Sequence, residues 1–211
     1  MNTVTRGKFI TLEGMDGAGK STHVAWLPAF LEARGVKVRQ TREPGGTGIG
    51  EKLRTLLLDK TQHLHADTEA LLMFAARREH IDKVIMPALT AGEWVVCDRF
   101  TDASFAYQSG GSGLAWKRVA DLEEWVQAPL DLQPDLTLYY DVPSGVGKSR
   151  TQAAREADRF EQEGRAFFDR VRDAYVRRAR EHSSRMVVID ATQSLEAVRS
   201  KTEEVILSIC F

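Results

Sequence analysis

A chain of 211 residues with 43% apolar composition is long enough to bury one sizeable core and short for two, so a single domain is expected. Its 29 basic and 30 acidic residues leave a formal charge of −1, which excludes a globally polyanion-binding surface and argues against nucleic acid as a partner. Cys97 and Cys210 are too few for a disulfide framework, and Met1 to Lys8 lack the apolar core of a signal peptide. No stretch approaches the roughly 18 apolar residues of a membrane span, so a cytoplasmic protein without membrane association is expected.

In chain order, the β-forming run Phe9 to Leu12 leads into Gly14-Met15-Asp16-Gly17-Ala18-Gly19-Lys20-Ser21, and a helical apolar pattern follows from Thr22 to Leu31. The octet is a full G-x-x-x-x-G-K-[ST] phosphate-binding loop in its required strand–turn–helix context, which points to a nucleoside triphosphate. Its glycines let backbone amides curl around an anion, with the positive end of the helix dipole aimed at it. Lys20 is expected on the β- and γ-phosphates, and Ser21 offers a hydroxyl to Mg²⁺. The backbone from Gly14 to Thr22 forms the expected nucleotide-binding set.

A second strand, Val36 to Gln40, ends at Thr41-Arg42-Glu43-Pro44-Gly45-Gly46-Thr47, and a long helical pattern covers Glu69 to Leu89. The third strand, Trp94 to Cys97, runs into Asp98-Arg99-Phe100. A helix follows from Trp116 to Gln127, then a fourth strand from Leu136 to Tyr140 ending at Asp141-Val142-Pro143. The helix Arg165 to Ala179 carries Phe168, Val171, Tyr175 and Ala179 at three- and four-residue spacing, a stripe assigned to the core. A fifth strand, Met186 to Ile189, and a helix from Leu195 to Leu207 complete the chain. This alternation predicts an α/β fold around a parallel sheet, whose strand carboxyl ends are where ligands bind.

Arginines stand at two of those ends. A guanidinium fork matches phosphate oxygens, so Arg42 and Arg99 together suit a second phosphate beside the triphosphate, although either alone would ordinarily be a surface ion pair. Asp98, after an apolar strand, suits metal support, and Asp141 competes for that role. Gly145-Val146-Gly147-Lys148-Ser149 imitates a second phosphate loop, but Val142 stands where its first glycine belongs. Arg150, Arg155 and Arg159 interleave with acids in a polar stretch that reads as a solvated helix face or as a mobile lid. The phosphate loop contains no arginine, and phosphoryl transfer needs cations where charge spreads, so the lid reading is preferred.

In this order the motifs resemble bacterial-type thymidylate kinases nearly end to end. Glu13 to Thr22, Thr41 to Thr47, Asp98-Arg99-Phe100 and Ala106-Tyr107-Gln108-Ser109-Gly110-Gly111 carry the likeness, extended by Pro134 to Tyr139, Asp158-Arg159-Phe160-Glu161 and Ile189 to Gln193. The resemblance implies a three-layer P-loop NTPase sandwich with a five-stranded parallel sheet and a lid at about 149–160. It implies transfer of the γ-phosphate of ATP, with Mg²⁺, to dTMP, giving dTDP on the route to dTTP, in a homodimeric enzyme. Alternatives are another deoxynucleotide monophosphate kinase or a slow nucleotide-binding switch.

By the same resemblance, Asp16 approaches the deoxyribose 3′-hydroxyl, Arg42 and Arg99 hold the acceptor phosphate, Ser104 and Gln108 line the thymine pocket, and Tyr107 crowds the 2′ face of the sugar. Thr192 and Gln193 fall near adenine. Lys20, Arg99 and Asp16 join either Arg150 or Arg155 as the catalytic set. An aromatic stacking on thymine is expected one helical turn before a base-reading arginine. Spacing from Pro87 gives Met73 and Arg77; a one-residue shift gives Phe74 and Arg78. Arg77 is taken as the base reader and Phe74 is kept as stacker or core.

Overall fold

Alternating apolar strands and amphipathic helices place the chain in three layers, and the computed structural model describes residues 5–146, 159–160 and 163–211 of it. Strands β1 (Phe9–Glu13), β2 (Val38–Arg42), β3 (Trp94–Asp98), β4 (Leu136–Asp141) and β5 (Met186–Asp190) form one parallel sheet in the order β2-β3-β1-β4-β5. The central β1 is buried along its whole length, as expected of a strand covered on both faces. Because side chains alternate, Val95 and Cys97 of β3 enter one core with Phe74, Ile81 and Phe105, whereas Val96 enters the other with Ile10, Leu27 and Leu138. Register puts Arg42 beside Asp98, and Asp98 beside Leu12, one residue before Glu13. The carboxyl edge of the sheet thus gathers the polar groups.

The α-helices that lie wholly within the described residues are α1 (Lys20–Glu32), α2 (Gly48–Leu58), α3 (Ala66–His80), α4 (Met86–Thr90), α5 (Thr101–Ser104), α6 (Trp116–Gln127), α7 (Arg165–Glu181) and α8 (Leu195–Cys210). The expected second strand begins two residues late because the Val36 amide donates to the Leu31 carbonyl at 3.2 Å, closing α1, and it extends to Arg42. The long pattern from Glu69 to Leu89 is interrupted by a π-turn, Ile81–Ile85, just before Pro87. A proline lacks the N–H that an unbroken helix needs, and the wider turn absorbs that defect. Helix α2 was not expected, since Gly48 and Gly50 depress helix propensity; Thr47 Oγ1 caps it by accepting from the Gly50 amide at 2.9 Å. A second π-turn, Phe105–Gly111, continues α5 and carries Tyr107 and Gln108.

Candidate active site

The phosphate loop leaves β1 at Glu13. Gly14 has φ 143°, and a Cβ there would stand 2.7 Å from the Tyr140 carbonyl oxygen, so the tight departure from the sheet requires glycine. The turn ends at Gly19, which precedes α1 without a side-chain cap, leaving the helix amides to an anion. Met15, Asp16, Gly17, Gly19, Lys20, Ser21 and Thr22 border a cavity of about 600 Å³; Gly14 and Ala18 do not border it and shape the loop from behind. Lys20 is buried, with its ammonium against the Asp98 carboxylate. Burial and then the nearby Arg99 charge pull its pKa down, while Asp98 and Asp16 oppose them.

The same cavity is bordered by Arg42, Asp98 and Arg99. Arg42 reaches it with a guanidinium held by Glu51 at 2.8 Å, and Glu51 also accepts from the Gly46 amide at 2.9 Å. Arg99 occupies the left-handed region at φ 69°, a strained setting for a side chain of its size. Neighbours fix that turn: the Arg99 amide donates to Leu12 O at 3.0 Å and the Phe100 amide to Glu13 Oε1 at 2.7 Å. The guanidinium then donates to Asp16 Oδ1 at 3.1 Å and to the Tyr175 hydroxyl at 3.2 Å, and its Cζ lies 4.8 Å from the centre of the Tyr107 ring. Tyr175 donates onward to Glu13 Oε2 at 2.8 Å. Burial, followed by the charge of Asp102, raises the Glu13 pKa to about 7 despite Arg99 and these donors.

At the base pocket, Arg77 is 2% exposed and spans three partners: Nε donates to Glu43 Oε2 at 2.7 Å, and Nη2 to Phe100 O at 3.2 Å and Ser104 Oγ at 3.1 Å. Its Nη1 is buried and meets no hydrogen-bond partner among the described residues. Glu43 is completed by His80, whose Nδ1 donates to Oε1 at 3.0 Å while its Nε2 accepts from Thr41 Oγ1 at 2.6 Å. Burial alone would raise the Glu43 pKa, but Arg77 and His80 hold it below the usual carboxylate value. Gln108, almost fully buried, donates Nε2 to Glu69 Oε1 at 2.8 Å. The second Glu69 oxygen accepts from Arg159, and Phe160 stands edge-on to Tyr107 with ring centres 5.6 Å apart.

The fold therefore brings Asp16, Lys20, Ser21, Arg42, Arg77, Asp98, Arg99, Ser104, Tyr107 and Gln108 around one cavity. Phe74 is not among its lining residues. It is 2% exposed in the core with Phe9 and Ile81, and one step of helix turns it away while Met73 borders the cavity one turn before Arg77. Arg78 leaves for Val126 O and Asp82. Of the two strand-end carboxylates, Asp141 is taken by Arg172, which donates to both its oxygens at 2.7 Å, while Asp98 borders the cavity. Arg150 and Arg155, most of the lid, and Gly147 to Ser149 of the second loop-like stretch lie outside the described residues. Glu13, Glu69, His80 and Tyr175 escaped sequence reasoning because each sits in an apolar or helical pattern that signals burial; Glu43, beside Arg42 in a turn, carried a local hint.

A family model described as Thymidylate kinase matches residues 12–202. The thymidylate kinase of Nitrosospira multiformis is 62% identical over 204 residues, covering 97% of this chain and 98% of the relative. That of Bordetella pertussis is 57% identical over 198 residues, covering 94% and 93%. A crystal structure of thymidylate kinase from Ehrlichia chaffeensis superposes with a TM-score of 0.77 at 35% identity, covering 96% of this chain and 99% of that one.

Proposed function

The chain belongs to the thymidylate kinase family, and from that premise we propose how its residues share the transfer of the γ-phosphoryl group of ATP to dTMP, giving ADP and dTDP. The observation that carries the reading is one cavity bordered both by the phosphate loop and by a buried arginine whose Nη1 has no partner among the described residues. Loop amides and Lys20 take the triphosphate; Lys20 leaves Asp98 for the phosphates, a stronger anionic partner. Arg42 and Arg99 grip the acceptor phosphate and hold it in line with the γ-phosphorus, which is most of what phosphoryl transfer asks of a protein. Arg99 arrives preset by the Glu13–Tyr175 pair. Asp16, already accepting from Arg99, takes the sugar 3′-hydroxyl, and Tyr107 fills the space a 2′-hydroxyl would need.

The base lies with its O4 on Arg77 Nη1, with Met73 against its face, and with Ser104 and Gln108 on its edge. Ser21 and Asp98 would hold Mg²⁺. Both are hard oxygen donors on the cavity wall, the donor chemistry that such an ion takes. When bound, the ion supplies charge neutralisation along the phosphate chain. Arg150 and Arg155 belong to the lid, one of them meeting the transferring group. The enzyme works in the cytoplasm, where ATP and dTMP are at hand; no described helix is long and apolar enough to cross a membrane. The exposed Ile49, Leu71 and Trp125 on neighbouring helices support a homodimer.

The test is diphosphate formation from ATP and each of dTMP, dUMP, dCMP, dAMP and dGMP. A strong preference for dTMP is expected; preference for any other acceptor would refute the assignment.

A further inference from the structure

Behind each of two polar side chains at the base edge stands a buried carboxylate: Glu43 behind Arg77 and Glu69 behind Gln108. We infer that Glu69 is a specificity-positioning residue: by engaging the Gln108 amide nitrogen it presents the Gln108 Oε1 acceptor to the cavity, selecting a pyrimidine that carries a proton on N3 against one that does not. The inference rests on the base-facing roles of Arg77 and Gln108 given above and adds what sets their polarity.

A carboxamide is ambiguous, because its two ends are nearly isosteric and one donates while the other accepts. A carboxylate is not. Glu69 is 2% exposed, and both of its oxygens are engaged as acceptors, one from Gln108 Nε2 at 2.8 Å and the other from Arg159. Arg159 is itself anchored by a 2.9 Å bond from Nε to Leu57 O at the end of α2, so the carboxylate cannot swing away from Gln108 without losing an ion pair. Gln108 in its flipped orientation would set its carbonyl oxygen against a buried carboxylate. The remaining Oε1 meets no donor among the described residues and belongs to a residue on the cavity wall.

The edge offered to a base is therefore a donor, Arg77 Nη1, and an acceptor, Gln108 Oε1. Thymine and uracil present the complement, a carbonyl at C4 and a proton on N3. Cytosine presents an amino group and a bare N3, which opposes both. Ser104 does not discriminate, since a hydroxyl rotates to donate or accept.

Glu69→Gln tests this directly. Arg159 can only donate, so the oxygen of the new carboxamide is drawn to Arg159 and its NH₂ faces residue 108, turning the Gln108 NH₂ to the cavity. The ratio of kcat/KM for dCMP to that for dTMP is expected to rise on the order of 10- to 100-fold, the worth of a mismatched buried hydrogen bond. The dUMP to dTMP ratio should stay put, because both bases carry the N3 proton. Ratios within one preparation do not depend on the folded fraction, so a merely structural role for Glu69 would lower all rates together. An unchanged dCMP to dTMP ratio overturns the inference. Glu69→Ala, which frees Gln108 to turn, reads the same ratio if Glu69→Gln does not fold. Gln108→Leu separates the two levels: if its ratio shifts while that of Glu69→Gln does not, Glu69 has no such role; if neither shifts, Gln108 does not read the base.

Discussion

Gly46→Ala tests whether the buried chain from Thr41 through His80 and Glu43 to Arg77 is built as a unit. At φ 77° any side chain is strained, by roughly 1–2 kcal/mol. A Cβ there would also lie 2.6 Å from His80 Cδ2 and Nε2 and 2.9 Å from Thr41 Oγ1. His80 is fully buried, so the ring must move and its bonds to Thr41 and Glu43 are lost, leaving a buried carboxylate short of a donor at a further cost of about 1–3 kcal/mol. Gly35→Ala is the control, since Gly35 has φ 80° with nothing within 4 Å of where an added methyl would stand, so only the backbone strain applies. Urea unfolding should place Gly46→Ala below Gly35→Ala by about 1–3 kcal/mol. Because Glu43 holds Arg77, the KM for dTMP should rise in Gly46→Ala and not in Gly35→Ala. Equal stability losses in the two variants, with an unchanged KM, would refute the reasoning.

Lys20→Ala should lower kcat by roughly 10²- to 10³-fold while dTMP binding, measured by calorimetry, stays near that of the unaltered chain; near-normal turnover would contradict its role at the triphosphate. Glu13 gives a pH signature. The folded chain keeps its proton up to about pH 7, whereas an ordinary glutamate releases it near 4.5, so the folded state binds the extra proton in that window and stability falls as pH rises through it. The slope from this group is at most about 1.4 kcal/mol per pH unit, and Glu13→Gln should flatten it; identical pH–stability curves would exclude Glu13 as the source. Of Arg150→Ala and Arg155→Ala, assayed separately by single turnover, one should slow transfer by about 10³-fold or more, and losses of only a few fold in both would remove the lid from the chemistry.

The sequence by itself determined the parallel sheet, the phosphate loop and the two arginine-bearing strand ends, because each is local: a strand length, a glycine spacing, a residue type at a strand terminus. It left Met73 and Phe74 unresolved, since adjacent residues on an amphipathic helix share the same pattern and differ only in which way the helix is rotated against the sheet. It also counted Tyr175 as core, which its burial justifies, while its hydroxyl bridges Arg99 and Glu13 across 162 positions of sequence. Only the tertiary structure decides such pairings. Glu43 with Arg77, Glu69 with Gln108 and Glu13 with Tyr175 each join elements far apart in the chain. A buried carboxyl group needs donors beside it, and no spacing rule along the chain says where those donors will fold.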